Sequence, residues 1–215
     1  MLQVTDLQFG YESTLVCGLG FSISAGAIRL LHGPSGCGKS SLLAILSGTA
    51  DPELNWRGQM TLNGVDIGHL PAARRGIGLM FQDPLLFPHM TVGDNLAFGL
   101  TSKRHGRAQR QAAVRDALQE CGLDGFAERD PASLSGGQKA RIALMRALLA
   151  EPKMLLLDEA FSSLDPELRR QFGQFVARQI ETRNIPALLV SHDSGDKSLT
   201  SGDIIRFPEL QGFFI

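Results

Sequence analysis

The segment Gly33-Pro34-Ser35-Gly36-Cys37-Gly38-Lys39-Ser40 limits what this chain can fold into more than any other. It fits the pattern G-x-x-x-x-G-K-[ST] along its whole length. The short apolar run 27–32 precedes it, and Leu42, Leu43, Ile45 and Leu46 follow at helical spacing. Strand, glycine loop and helix in that order make a phosphate cradle. Glycines let successive backbone N–H groups turn inward on an anion, and the helix start presents its positive dipole end to the same place. Lys39 reaches the β- and γ-phosphates as a point charge, and Ser40 offers a hydroxyl to Mg²⁺. Cys37 occupies a free position of the loop and reads as a spacer.

The rest of the chain alternates in the same way. Residues 4–9, 20–23, 60–62 and 77–81 read as strands, with Asn63-Gly64 as a turn. From about Thr91 to Glu120 the pattern is helical and Ala-rich. Its charged stretch, with Lys103, Arg104, Arg107, Arg110 and Arg115, is expected to be a solvated helix face rather than a nucleic-acid contact. A further helix follows Gly136-Gly137, then a buried strand over 153–157, a helix opened by Pro166, and a strand over 187–190. Strands alternating with helices predict an α/β fold with a mostly parallel core sheet, and ligands of such sheets bind at the carboxyl ends of strands. The glycine loop, the pair Asp158-Glu159 and His192 all follow such ends.

That placement suggests roles. In phosphate-loop enzymes an Asp at the end of such an apolar strand holds Mg²⁺, directly or through water, and a neighbouring carboxylate can orient and deprotonate water. Asp158 is therefore the metal candidate and Glu159 the general-base candidate. His192 alone reads as a structural histidine, and the remaining histidines (His32, His69, His89, His105) show no metal-ligand spacing.

Composition narrows the function classes. With 21 basic and 22 acidic residues the formal charge is 21 − 22 = −1, which argues against binding nucleic acid by bulk charge. Cys17, Cys37 and Cys121 form no C-x-x-C pair, so no zinc or redox motif is readable and a reduced compartment is expected. No signal peptide is evident at Met1–Asp6, and no stretch approaches the roughly 18 apolar residues of a membrane span. Any membrane work would then fall to another chain.

Lys39, Gln82, the pentapeptide Leu134-Ser135-Gly136-Gly137-Gln138, Asp158-Glu159, Asp165 and His192, in that order, resemble the nucleotide-binding subunits of ABC transporters. The likeness runs from Leu2 to about His192. It implies a P-loop NTPase with an antiparallel β subdomain and a helical subdomain at about residues 84–150, residues 1–215 forming a single domain without a C-terminal regulatory domain. It implies ATP and Mg²⁺ as ligands, with Gly33, Pro34, Ser35, Gly36, Cys37, Gly38, Lys39, Ser40 and Ser41 around the phosphates and Tyr11 stacked on adenine, although Tyr11 alone could be a strand-surface aromatic. Ser40, Gln82 and Asp158 would serve the metal; Glu159, His192 and Gln82 would serve hydrolysis. Ser135, Gly136, Gly137 and Gln138 would cap the γ-phosphate of ATP held by a second copy in a head-to-tail homodimer, with Asp165 at that interface.

The run Phe81-Gln82-Asp83-Pro84-Leu85-Leu86-Phe87 looks like the importer branch, where it would form a groove for a permease helix; plain core packing is the alternative for each apolar residue. Within that branch the likeness is to short ATPases for thiamine, iron, sulfate or polyamines. The expected partners are permease subunits and a periplasmic or lipoprotein solute-binding protein, and the expected place is the cytoplasmic face of the inner membrane. An exporter or envelope-complex ATPase is the alternative; a soluble member acting on DNA or ribosomes fits less well, because the chain has one phosphate loop and no sustained heptads. Three features depart from the family pattern: Ala160 in place of proline, Ser41 in place of threonine, and the sequence after Asp193.

Overall fold

The computed structural model describes residues 1–12, 14–34, 36–100, 106–192, 194–200 and 204–207. Its centre is a five-stranded parallel sheet made of β3 (Ile28–His32), β6 (Ile77–Met80), β7 (Met154–Asp158), β8 (Ala187–Val190) and β9 (Ile205–Arg206), in the order β6-β7-β8-β3-β9. Neighbouring strands run in register, with Leu155 beside Ala187 and Ile28 on the other side of it. A second, antiparallel sheet has the order β2-β1-β4-β5, from β1 (Leu2–Gly10), β2 (Thr14–Ile23), β4 (Asn55–Leu62) and β5 (Val65–Asp66).

The apolar runs of the parallel strands show why this sheet is buried on both faces. Leu155 and Leu157 enter one core, while Met154 and Leu156 enter the other. The first core is closed by α3 (Val92–Gly99), α4 (Arg107–Cys121), α5 (Gly136–Leu148) and α6 (Pro166–Arg183), through residues such as Leu96, Leu118, Ile142 and Phe172. The second is closed by α1 (Lys39–Ser47) and the antiparallel sheet, through Leu42, Ile45, Val4 and Met60. A short α2 (Ala72–Arg75) leads into β6.

Helix ends follow local chemistry. Asp165 caps α6 by accepting from the N–H groups of Glu167 and Leu168 at 3.1 and 3.0 Å, and Pro166 takes the first helical position. Thr91 caps α3 by accepting from Asp94 N–H at 3.0 Å. Gly48, at φ 79°, ends α1 by donating to the carbonyls of Ala44 and Ile45.

Three expectations change. The helical stretch 91–120 is two helices, α3 and α4, and Lys103 and Arg104 lie outside the described residues. The described part of the charged stretch is mostly exposed on α4, as expected of a solvated face. β4 begins at Asn55 rather than Met60, because its first residues are largely exposed and lack apolar alternation. β2 begins at Thr14, its pattern hidden by register shifts against β1.

The α3–α5 contact is set by backbone. A Cβ on Gly99 would lie 2.1 Å from the carbonyl oxygen of Arg146, an atom of a helix that cannot swing aside. Gly99→Ala is expected to lower stability by about 2–4 kcal/mol in urea unfolding, through forced overpacking. Gly122→Ala, where the same Cβ meets open space but φ is 67°, should cost only about 1 kcal/mol.

Candidate functional site

The carboxyl ends of β3, β7 and β8 lie side by side, so the three loops that leave them share one edge of the sheet. From β3 the chain enters the glycine loop. Gly36 and Gly38 take φ of 78° and 101°, a backbone open to glycine and costly for other residues. α1 then starts at Lys39 with no side-chain cap, which leaves its first N–H groups directed out of the helix start. The ammonium of Lys39, buried among its neighbours, donates to the carbonyls of Gly33 and Pro34 at 2.8 and 2.7 Å. It is thus held across the mouth of the loop by weak acceptors that a phosphate oxygen can replace.

Tyr11, Gly36, Gly38, Lys39, Ser40, Ser41 and Glu159 line one hollow of about 410 Å³. This brings together the aromatic, the cradle and the candidate base from three distant parts of the chain. Tyr11 is half exposed above it, while Cys37 is buried, in line with a spacer. Ser35 lies outside the described residues.

Glu159 sits in a tight turn at φ 49°, unusual for a residue with a side chain. Its N–H donates to Val190 O at 3.0 Å, and its carbonyl accepts from Ser162 N–H at 3.0 Å and Ser162 Oγ at 2.8 Å. These bonds fix the backbone of the turn from which the carboxylate projects. Ala160 and Phe161 after it are buried, so the turn is held without the proline expected there. His192 Nδ1 stands 3.4 Å from Glu159 Oε1. Behind the pair, burial and then the Glu159 charge push Asp158 above its ordinary range, and Lys39 pulls it part of the way back. Crowded carboxylates beside an exposed Ser40 hydroxyl form a hard-oxygen donor set, which suits Mg²⁺ completed by phosphate oxygens and water.

Ser135, Gly136, Gly137 and Gln138 do not line this hollow. They form the start of α5, where Ser135 Oγ accepts from Gln138 N–H at 3.3 Å and Gln138 Oε1 accepts from Ser135 N–H at 2.9 Å. Asp165, expected at an interface, caps α6. Gln82 is exposed between β6 and a loop held by α5. Arg146 donates to the carbonyls of Pro84 and Leu85 at 3.1 and 2.9 Å, and Asn95, fully buried, accepts from Phe87 N–H at 2.8 Å. Leu85 is exposed, Leu86 packs on the core, and Phe87 meets the exposed Phe98 at 4.7 Å. Of the three residues read as a groove, Leu86 is partly buried against the core. A separate hollow of about 630 Å³ lies between α3 and α4, lined by Asp94, Ala97, Arg110, Val114 and Ala127 among others. Sequence reasoning missed it, since its walls come from two helices that the pattern had joined.

Three comparisons bear on this arrangement. The family described as "ABC transporter" matches residues 16–162. An uncharacterised ABC transporter ATP-binding protein of Escherichia coli, YnjD, is 48% identical over 86% of this chain and 85% of its own length. The sulfate/thiosulfate import ATP-binding protein CysA of Mycobacterium tuberculosis is 42% identical over 82% of this chain, and the Fe(3+) ions import ATP-binding protein FbpC of Rhizobium etli 40% identical over 89%. The matched regions span about half the length of these two, 49% and 54%. Among solved structures, CbiO1 of Clostridium perfringens, part of the ABC transporter complex CbiONQ, superposes with a TM-score of 0.80 at 27% identity, covering 89% of this chain and 78% of the other.

The raised Asp158 gives a measurable consequence. An acid that holds its proton more tightly when folded costs stability once ionised; that cost is absent below about pH 4 and complete above the raised value. Asp158→Asn should therefore raise the stability of the ligand-free protein at pH 7, by no more than about 1 kcal/mol in urea unfolding at a half-buried site, with the gain vanishing as pH falls toward 4.

Proposed function

Since this chain belongs to the ABC transporter family as an ATP-binding subunit, we propose that it hydrolyses ATP to drive import of a small solute through membrane-spanning permease subunits. The observation that carries the chemistry is Glu159 facing the phosphate cradle with His192 Nδ1 3.4 Å from its carboxylate. The nucleotide's phosphates take the N–H groups of Gly36 to Ser40, and Lys39 exchanges the Gly33 and Pro34 carbonyls for β- and γ-phosphate oxygens. Tyr11 stacks on the base. Ser40, Gln82 and Asp158 would hold Mg²⁺, which would supply charge neutralisation at the phosphates. Glu159 orients the attacking water and accepts its proton, while His192 keeps that carboxylate aligned and donates toward the γ-phosphate.

The cradle is open on one side, and the start of α5 stands apart from it. Between the capping bonds of Ser135 and Gln138, the helix-start N–H groups of Gly136 and Gly137 supply an anion site without an anion of its own chain. A head-to-tail pairing of two copies, each capping the other's ATP, uses both halves. Closing and opening of that pair would pass to the permease through the segment that follows Gln82. Exposed Leu85 and Phe98 and the hollow between α3 and α4 supply the docking surface.

CysA and FbpC, named for sulfate or thiosulfate and for ferric iron, support the importer branch and a small-ion class of solute. Among the described residues no helix is long and apolar enough to cross a membrane. The spanning is assigned to the permease, the solute's capture to a separate binding protein, and this subunit to the cytoplasmic face of the membrane.

Glu159→Gln should bind ATP as the parent does, lose phosphate release by about 100-fold or more, and accumulate as an ATP-dependent dimer in sedimentation. Phosphate release within threefold of the parent would remove Glu159 as the base. The pair Leu85→Asp and Phe98→Asp should abolish co-purification with a co-expressed permease while leaving nucleotide affinity within about twofold. Retained co-purification would place the docking surface elsewhere.

A further inference from the structure

The position of His192 depends on the residue before it. Ser191 is 5% exposed and is gripped from three sides. Its N–H donates to Leu31 O at 3.4 Å, and its hydroxyl donates to Asp196 Oδ2 at 2.6 Å, a carboxylate that is itself buried. Its carbonyl oxygen lies 3.3 Å from Nδ1 of His32. A carbonyl can only accept, so Nδ1 carries the proton in this contact.

His32 is the last residue of β3 and the immediate neighbour of Gly33. Its backbone cannot drift. The His32 carbonyl accepts from Phe207 N–H at 3.2 Å. A Cβ on Gly33 would fall 2.9 Å from Cys37 Sγ and 3.1 Å from Phe207 Cβ, so the neck of the loop is filled. The ring therefore reaches from the fixed base of the phosphate loop to the carbonyl just before His192. No metal-ligand spacing and no contact with the hollow claims this histidine otherwise.

We propose that His32 is a positioning residue for hydrolysis. Its Nδ1–H ties the loop after β8 to the loop after β3, so that His192 and Lys39 keep one spacing on either side of the γ-phosphate. The effect falls on the transition state rather than on ATP affinity, because the cradle N–H groups and Lys39 stay in place without the ring. Misplacement of a catalytic group by about 1 Å can cost up to about 10²-fold in rate.

This role rests on the one given to His192, and the test separates the two. Asparagine places an amide N–H near the Nδ1 position of histidine, glutamine places it near Nε2, and leucine fills the space without a donor. In the purified subunit with MgATP, His32→Leu and His32→Gln should lose about three- to tenfold in kcat with KM for ATP within twofold, and His32→Asn should stay within twofold of the parent in both. A role limited to filling space would order the variants the other way, with leucine and glutamine ahead of asparagine. The inference is overturned if all three variants turn over like the parent, if asparagine is as poor as leucine, or if KM rises in step with the loss of kcat. His192→Ala run alongside assigns the fault. Turnover kept in His192→Ala removes the premise itself, whereas turnover lost there but kept in His32→Leu and His32→Gln overturns the role of His32 alone. Should leucine fail to fold, the asparagine–glutamine contrast still decides.

Discussion

Everything at the site depends on three parallel strands being buried side by side on both faces. β3, β7 and β8 pair in register through residues that are almost all inaccessible to water. A parallel ladder puts their carboxyl ends on one edge, so the phosphate loop, the Asp158-Glu159 turn and the Ser191-His192 loop emerge as neighbours although the first lies over a hundred residues before the other two in sequence. The buried leucines give the strands their affinity for one another, and the loops inherit their spacing from that packing. The bonds from Glu159 N–H to Val190 O and from Ser191 N–H to Leu31 O continue the ladder one step beyond the strands, into the site itself.

Much of this was legible before the coordinates. The phosphate loop announced strand, turn and helix, because its spacing serves one geometry, and α1 begins at Lys39 as expected. The parallel strands were legible as continuous apolar runs, with 187–190 matching to the residue. The antiparallel sheet was read less well. Gly18, Gly20 and Gly58 interrupt the alternation of β2 and β4, and register shifts move inward residues outward, so a period of two fails locally. α3 and α4 merged in the reading because helical periodicity persists on both sides of a break that it does not mark. At the site, residue type and order pointed to Lys39, Asp158 and Glu159. They could not point to His32, whose contact is with a backbone carbonyl 159 positions away and leaves no trace in residue type.

The site elements are steadied by two guanidinium groups bonded to carbonyls rather than carboxylates, Arg75 buried and Arg146 partly buried. Arg75 is 6% exposed and donates to Leu46 O at 2.9 Å, Gly68 O at 3.0 Å and Leu70 O at 2.8 Å, with Nη1 also on Ile45 O. It closes the carboxyl end of α1, where a positive charge also meets the negative end of the helix dipole. Burial lowers its pKa more than the Asp66 charge raises it, and the guanidinium nonetheless stays charged. Gly48 must lack a side chain for this, since a Cβ there would fall 2.6 Å from Arg75 Nε.

Arg146 does the equivalent for α5, holding the turn at Pro84 and Leu85 beneath the ring of Phe87 at 5.1 Å. Leu85 there is at φ 46°, a conformation that a leucine rarely adopts and that these bonds sustain. The two arginines divide the molecule by what they clamp. Arg75 ties the phosphate-loop helix to the segment Gly68–Leu70 beside the antiparallel sheet, and Arg146 ties the helix begun by Ser135 to the segment that follows Gln82. Carbonyl acceptors make these clamps insensitive to acid, since no carboxylate has to stay ionised for them to hold. The phosphate-loop helix and the helix begun by Ser135 therefore each have a clamp of their own.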